Sequence, residues 1–234
     1  IGWYLLRSAA VGLIDAVHIA LPCEQYSPAV AEEHRVRDAS NLNGLPRLPP
    51  RDANRVMLHN TLRRVAIDFA NAVGRGGGEV LFENPSDRAD KTQPHVYWEA
   101  KSGHASLFNT EELQRFKTEH GARRITAPFC AFGADVQKYF TLLATPGAAE
   151  ILSPIDGIVC THDRHAAHAY GVDAEGSSAS ASTAAYPALL CTMMAHGLLR
   201  IAIPQAAADA IGGPPKRALR ADIVCAPGYV MPAD

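Results

Sequence analysis

A doubly wound α/β sheet is the fold class that the sequence predicts, and three observations predict it. Two short apolar runs, 15–21 and 79–82, each deliver the chain into a polar segment marked by proline. A long stretch with helical apolar spacing, 54–73, separates them. A further helix and two more apolar runs then follow between 109 and 144. The order strand, helix, strand, helix, strand, strand describes the second half of such a sheet, and sites in these sheets lie at the carboxyl ends of the strands.

Residues 3–11 suit a short helix. Asp15-Ala16-Val17-His18-Ile19-Ala20-Leu21 reads as a buried strand stopped by Pro22, which leaves Cys23 just past a strand end. Residues 24–53 are polar, and Pro46, Pro49 and Pro50 exclude regular structure near their end. They are expected to form a long loop, a feature often tied to function. From Asn54 onward, Leu58, Leu62, Val65, Phe69 and Val73 form an apolar stripe at helical spacing; Asp52 or Asn54 can cap the start and Gly74 to Gly78 end the helix. Glu79-Val80-Leu81-Phe82 is a second buried strand that delivers Glu83-Asn84-Pro85.

After a polar loop over 86–108, Asn109 and Glu112 have the spacing of a capping box, predicting a helix to about His120. Arg124 to Phe129 and Tyr139 to Ala144 are predicted strands around a turn at Gly133. Beyond this first region, 1–152, residues 153–203 combine a loop rich in His, Ser and Ala with an apolar helix from Ala184 to about Ile203. Residues 204–234, with Gly212-Gly213-Pro214-Pro215 and Lys216, Arg217 and Arg220, are expected to be an irregular extension.

At 234 residues the chain is long enough to bury a substantial core. Its 22 basic and 24 acidic side chains nearly cancel, so a nucleic-acid surface would need local clustering. Five scattered cysteines do not form a secreted disulfide pattern and favour a reducing, intracellular compartment, nucleus or cytoplasm alike. No apolar run reads as a signal peptide or membrane span. The chain opens at Ile1 in what reads as the middle of a helix, so a longer parent polypeptide is expected.

Pro22-Cys23-Glu24-Gln25-Tyr26-Ser27 after the first strand and Glu83-Asn84 after the second together resemble the catalytic half of a cytosine-C5 DNA methyltransferase. That family carries Pro-Cys-Gln-x-Phe-Ser and Glu-Asn-Val in these places. Phe132-Gly133 with Gln137-Lys138 is a looser counterpart of a third family block. The resemblance covers roughly residues 15–145 and implies a partial Rossmann-like methyltransferase sheet. Divergent domains of this kind occur in mobile-element polyproteins.

The resemblance further implies Cys23 as the nucleophile that adds to carbon 6 of cytosine, activating carbon 5 for methyl transfer. Glu83 would hydrogen-bond the ring nitrogen and the exocyclic amine, while Asn84 would hold the active-site loop. Pro22 and Ser27 would lie beside S-adenosylmethionine, Gln137 and Lys138 would contact DNA, and residues 28–53 would form the mobile loop that base flipping requires. The family's Phe-x-Gly-x-Gly cofactor motif has no counterpart in this chain, so S-adenosylmethionine would need a further region of a longer polypeptide. The alternative is a catalytically inactive domain that binds nucleic acid or is stabilised by zinc.

Zinc is the second chemical signal. Cys160, His162, His165 and His168 place one thiol and three imidazoles within nine residues, and Cys130 can approach them from the strand region. His18, inside the first strand, reads as a core histidine. The Gly74 to Gly78 run precedes a strand instead of opening a helix, which makes it a helix stop and not a phosphate loop. Arg63-Arg64 and Arg123-Arg124 could contact phosphate but read first as solvent-facing pairs, and Tyr186-Pro187, Met193 and Met194 as core or partner-facing surface.

Overall fold

A computed structural model of the chain describes residues 2–166 and 185–212. Helix α1 (Gly2–Ala10) leads into strand β1 (Ala16–Ala20). Helix α2 (Pro50–Arg75), β2 (Glu79–Pro85), α3 (Glu111–Glu119), β3 (Arg123–Pro128) and β4 (Tyr139–Ala144) follow. Helices α4 (Pro146–Leu152), α5 (Ala188–Leu199) and the short α6 (Gln205–Asp209) complete the order.

The described strands form one sheet in the order β1-β2-β4-β3, with β1 and β2 parallel and the other two pairings antiparallel. Connection length explains the mixture. The crossover through α2 is long enough to return the chain parallel to β1, whereas the link over 129–138 permits only an antiparallel return.

Strand alternation divides the core into two layers. Val80, Phe82 and Leu143 face Ile67, Ala70 and Val73 of α2 and Leu113 and Phe116 of α3. Leu81, Ile125, Ala127, Phe140 and Leu142 face Ala148, Ala149 and Leu152 of α4 and Leu190 and Met193 of α5. Covered on both faces, β2 and β4 are buried along their whole length. The helix of the 153–203 region therefore belongs to the same core as the sheet.

Several sequence expectations change. Strand β1 is half-buried instead of buried, because it is an edge: β2 is its only partner among the described residues. On α2 the buried residues are Val56, Arg63, Ile67, Ala70 and Val73; of the expected stripe Val73 is buried and Phe69 packs against the core, while Leu58, Leu62 and Val65 are exposed. Both sets satisfy helical spacing. The buried one is selected by Arg63, whose guanidinium donates to Tyr26 and Asn43 and pairs with Glu112 at 2.9 Å. Exposed Trp3, Tyr4, Val11 and Leu13 add an apolar surface on and just after α1.

The Asn109–Glu112 capping box does not form. Glu112 is drawn to Arg63, the Asn109 amide donates to Asp87 at 2.6 Å, and Thr110 occupies the N-cap without a side-chain bond. The extension from Pro204 is not wholly irregular, since α6 forms and the Gly212 N–H donates to the Ala131 carbonyl at 2.8 Å. Residues 213–234 lie outside the described residues.

Helices α4 and α5 approach closely at Gly197, where an added Cβ would lie 2.8 Å from two carbons of fully buried Leu152. Gly197→Ala is expected to destabilise the fold by about 1–2 kcal/mol. The overpacking exceeds the helix-propensity gain of about 1 kcal/mol. Denaturant unfolding checks this, and a higher midpoint would refute the close approach.

Candidate active site at the carboxyl edge of the sheet

The parallel register sets Ala20 opposite Glu83, so the chain leaving β1 passes the end of β2 at Cys23. Asn84 fastens the two ends together. Fully buried, it donates its amide to the Leu21 carbonyl at 3.1 Å, immediately before Pro22. A turn then closes with the Tyr26 N–H donating to the Cys23 carbonyl at 2.8 Å.

The neighbours of Cys23 in this turn are occupied by structural bonds. Glu24 pairs with His59 at 2.7 Å and Arg55 at 3.4 Å. Gln25 accepts two hydrogen bonds from Arg37, at 3.0 and 2.8 Å, and the Tyr26 hydroxyl accepts from Arg63. Ser27 Oγ accepts from the Ala29 N–H at 3.0 Å, so its side chain serves the turn. Pro22 is half-buried beside it. Cys23 is left as the half-buried free thiol of the turn.

Burial pushes the Cys23 thiol up, Lys138 opposes that shift, and Glu83 and Glu24 add to it. Burial also raises the Glu83 carboxyl above its ordinary range, against the pull of Lys138 and of a hydrogen bond from Tyr186. That bond runs from the Tyr186 hydroxyl to Glu83 Oε2 at 2.6 Å. The Tyr186 phenol is itself raised, by burial first and then by Glu83. One cation thus acts on both a thiol and a carboxyl at the edge of the parallel pair. Chemically, the arrangement offers a nucleophile precursor, a carboxyl biased toward its protonated form, and a charge that favours thiolate.

Lys138 is half-buried, with its ammonium 4.7 Å from the centre of the Phe129 ring. Gln137 is exposed. Tyr186, read from the sequence as core or partner-facing, is the residue that sequence reasoning missed. Its signal was a hydroxyl heading an otherwise apolar helix. His18 packs edge-to-face on Tyr186 with ring centres 5.7 Å apart, and burial lowers its pKa, in keeping with a neutral core histidine.

The loop expected over 28–53 ends earlier, because Pro50 opens α2 at a position where its missing N–H costs nothing, and the remaining segment is tied down internally. Arg37, only 2% exposed, donates to Gln25 and to the Leu42 and Val56 carbonyls, and its guanidinium lies 4.7 Å from the Tyr26 ring centre. Gly74 to Gly78 does end α2, with Gly77 at φ +85°, and builds no phosphate cradle.

A second cluster lies along the same edge. Cys130 follows β3 in a short 3-10 turn (Phe129–Phe132). Its thiol gathers with Cys160, His162 and His165 so that all four ligand atoms lie within 4.8 Å of one another, a set able to hold a metal. Burial and the neighbouring Cys160 push the Cys130 thiol up to about 12. His168, the remaining residue of the sequence-expected set, lies outside the described residues.

Among the described residues, no helix is long and apolar enough to cross a membrane. No protein family, no curated protein and no solved structure matches the chain.

Proposed function

We propose that the chain is the base-handling portion of a cytosine-C5 DNA methyltransferase-like enzyme, with Cys23 as nucleophile and Glu83 as the acid facing the flipped base. The observation that carries this reading is the convergence of Cys23 and Glu83 at the carboxyl edge of the β1–β2 pair, under the shared charge of Lys138.

In the proposed step the Cys23 thiolate forms a bond to carbon 6 of cytosine, and the carbon 5–carbon 6 π pair shifts toward carbon 5. Lys138 favours the thiolate. Burial favours the protonated carboxyl, and with Tyr186 donating to Glu83 Oε2 the other oxygen, Oε1, is the one from which this reading has the proton given to the ring nitrogen as negative charge develops there. Asn84 keeps the nucleophile's turn docked against β2.

The methyl donor of the resembled family, S-adenosylmethionine, does not fit the described residues. Ser27 is committed to its turn, and the glycine run ends a helix instead of opening one. Methyl transfer would therefore need another unit, and the open edge of β1 and the exposed Trp3 and Tyr4 of α1 are surfaces on which it could dock.

Addition alone makes the carbon 5 hydrogen exchangeable, so it can be tested without the donor. DNA carrying tritium at carbon 5 of cytosine is expected to release label to solvent with the wild-type chain. Cys23→Ser should be slower by about 100-fold or more while keeping the wild-type thermal midpoint. Equal release from both proteins, or none from the wild type, would sink the reading.

A catalytically silent nucleic-acid-binding domain is the second reading. It is favoured by the burial that raises the Cys23 thiol and by the commitment of Glu83 to Tyr186. Salt-dependent DNA binding with no label release would select it.

A further inference from the structure

The turn after β3 and the segment that returns from α4 bring two thiols and two imidazoles into a compact arrangement. Cys130 is fixed by the 3-10 turn after β3, which Gly133 ends at φ +88°. The other three are fixed by how the chain returns from α4. Asp156 Oδ1 accepts from the Thr126 N–H at 2.9 Å, and the Gly157 N–H donates to the Thr126 carbonyl at 2.9 Å, clamping this segment beside β3. The Cys160 N–H then donates to the Tyr139 hydroxyl at 3.0 Å, which brings its thiol to Cys130.

The distances suit one small ion. Cys160 Sγ lies 3.6 Å from His162 Nδ1 and 3.3 Å from His165 Nε2. Tetrahedral zinc, with bonds of about 2.3 Å to sulfur and 2.0–2.1 Å to nitrogen, requires sulfur–nitrogen edges of about 3.6 Å and no edge above about 3.8 Å. The largest separation among the four atoms, within 4.8 Å, closes to that value with about an ångström of side-chain adjustment. Cys130 is buried and the other three are half-buried. Both cysteines are free thiols.

We infer that Cys130, Cys160, His162 and His165 form a closed zinc site that staples the segment after α4 to the β3–β4 turn. Two thiolates and two imidazoles select zinc over magnesium or calcium, and four protein ligands leave no open coordination position, so the role is structural. Binding displaces the thiol protons to solvent. The staple grips both ends of the turn that carries Lys138: Cys130 lies on its first residues, and Tyr139, which follows Lys138, holds Cys160. The inference stands apart from the proposed base chemistry, because the readouts below need no catalysis.

Elemental analysis of the chain, purified without chelators, is expected to find stoichiometric zinc. Removal should lower the thermal midpoint, and cobalt(II) should restore it with the intense visible absorption of a tetrahedral site and a sulfur-to-cobalt charge-transfer band. Cys130→Ser and Cys160→Ser should lose the metal, whereas His168→Ala should keep it. Cys130→His guards against simple misfolding, since it should retain cobalt with roughly half the charge-transfer intensity, one thiolate remaining of two. Metal-free protein that does not take up cobalt, a Cys130–Cys160 disulfide in its place, or metal lost from His168→Ala and kept by Cys130→Ser would each overturn the site.

Discussion

Arg37→Ala is expected to destabilise the chain by about 3–5 kcal/mol, lowering the thermal midpoint by roughly 10 °C. The guanidinium is 2% exposed and serves three acceptors, Gln25 Oε1 and the Leu42 and Val56 carbonyls. Alanine takes a donor away from each of these groups, a loss of about 1–3 kcal/mol where no other partner replaces it; the Leu42 carbonyl keeps the Tyr26 hydroxyl at 3.5 Å, and the Val56 carbonyl lies within α2. It also removes the flat group packed on the Tyr26 ring.

Water entering the vacated space offsets part of the loss, which is why the expected total lies below the sum of the separate bonds. Arg37→Lys should fall between, because a single ammonium cannot reproduce the fork that bonds Gln25 twice. Scanning calorimetry decides, and an unchanged midpoint for Arg37→Ala would mean that the 28–53 loop does not depend on this anchor. The effect should spread to chemistry, since Gln25 lies in the turn that presents Cys23.

Where local pattern and tertiary structure agreed, the fold was legible in the sequence. The runs at 79–82 and 139–144 became strands because apolar residues on alternating faces had helices waiting on both sides. The order of elements as far as β4 followed from the same alternation. On α2 the predicted 58-62-65-69-73 stripe holds at its end, where Val73 is buried and Phe69 packs against the core, and fails at its start, where a face through Val56 and Arg63 with the same period turns inward and Arg63 pairs with Glu112. The same pairing removed the capping box by drawing Glu112 away.

Cys23, Glu83 and Asn84 were legible because each falls at a strand end. Tyr186 reaches Glu83 from 103 positions along the chain, a distance over which no local spacing carries information. Cys130, which the sequence offers only as an approach from the strand region, is brought to Cys160, His162 and His165 by the turn after β3.

Glu83→Gln is expected to produce opposite effects on stability and chemistry. Burial raises the native carboxyl above its ordinary range, so between the unfolded pKa of about 4.3 and the higher native value the folded state holds more proton than the unfolded one. Stability from this group is complete below the unfolded pKa and is lost as pH rises through the native value. Glutamine is neutral throughout and has no such loss.

The stability of Glu83→Gln relative to wild type should therefore grow as pH increases from 4 to 8, and its amide oxygen can still accept from Tyr186. Tyr186→Phe should carry the wild-type loss to still higher pH, because the hydrogen bond it removes lowers the Glu83 pKa. Label release from carbon 5 should meanwhile fall by about 100- to 10,000-fold in Glu83→Gln, since an amide cannot deliver a proton to the ring nitrogen. Parallel pH profiles for Glu83→Gln and wild type would refute the buried, protonated carboxyl. A variant with the expected pH profile but undiminished release would separate that burial from catalysis and remove Glu83 from the reaction.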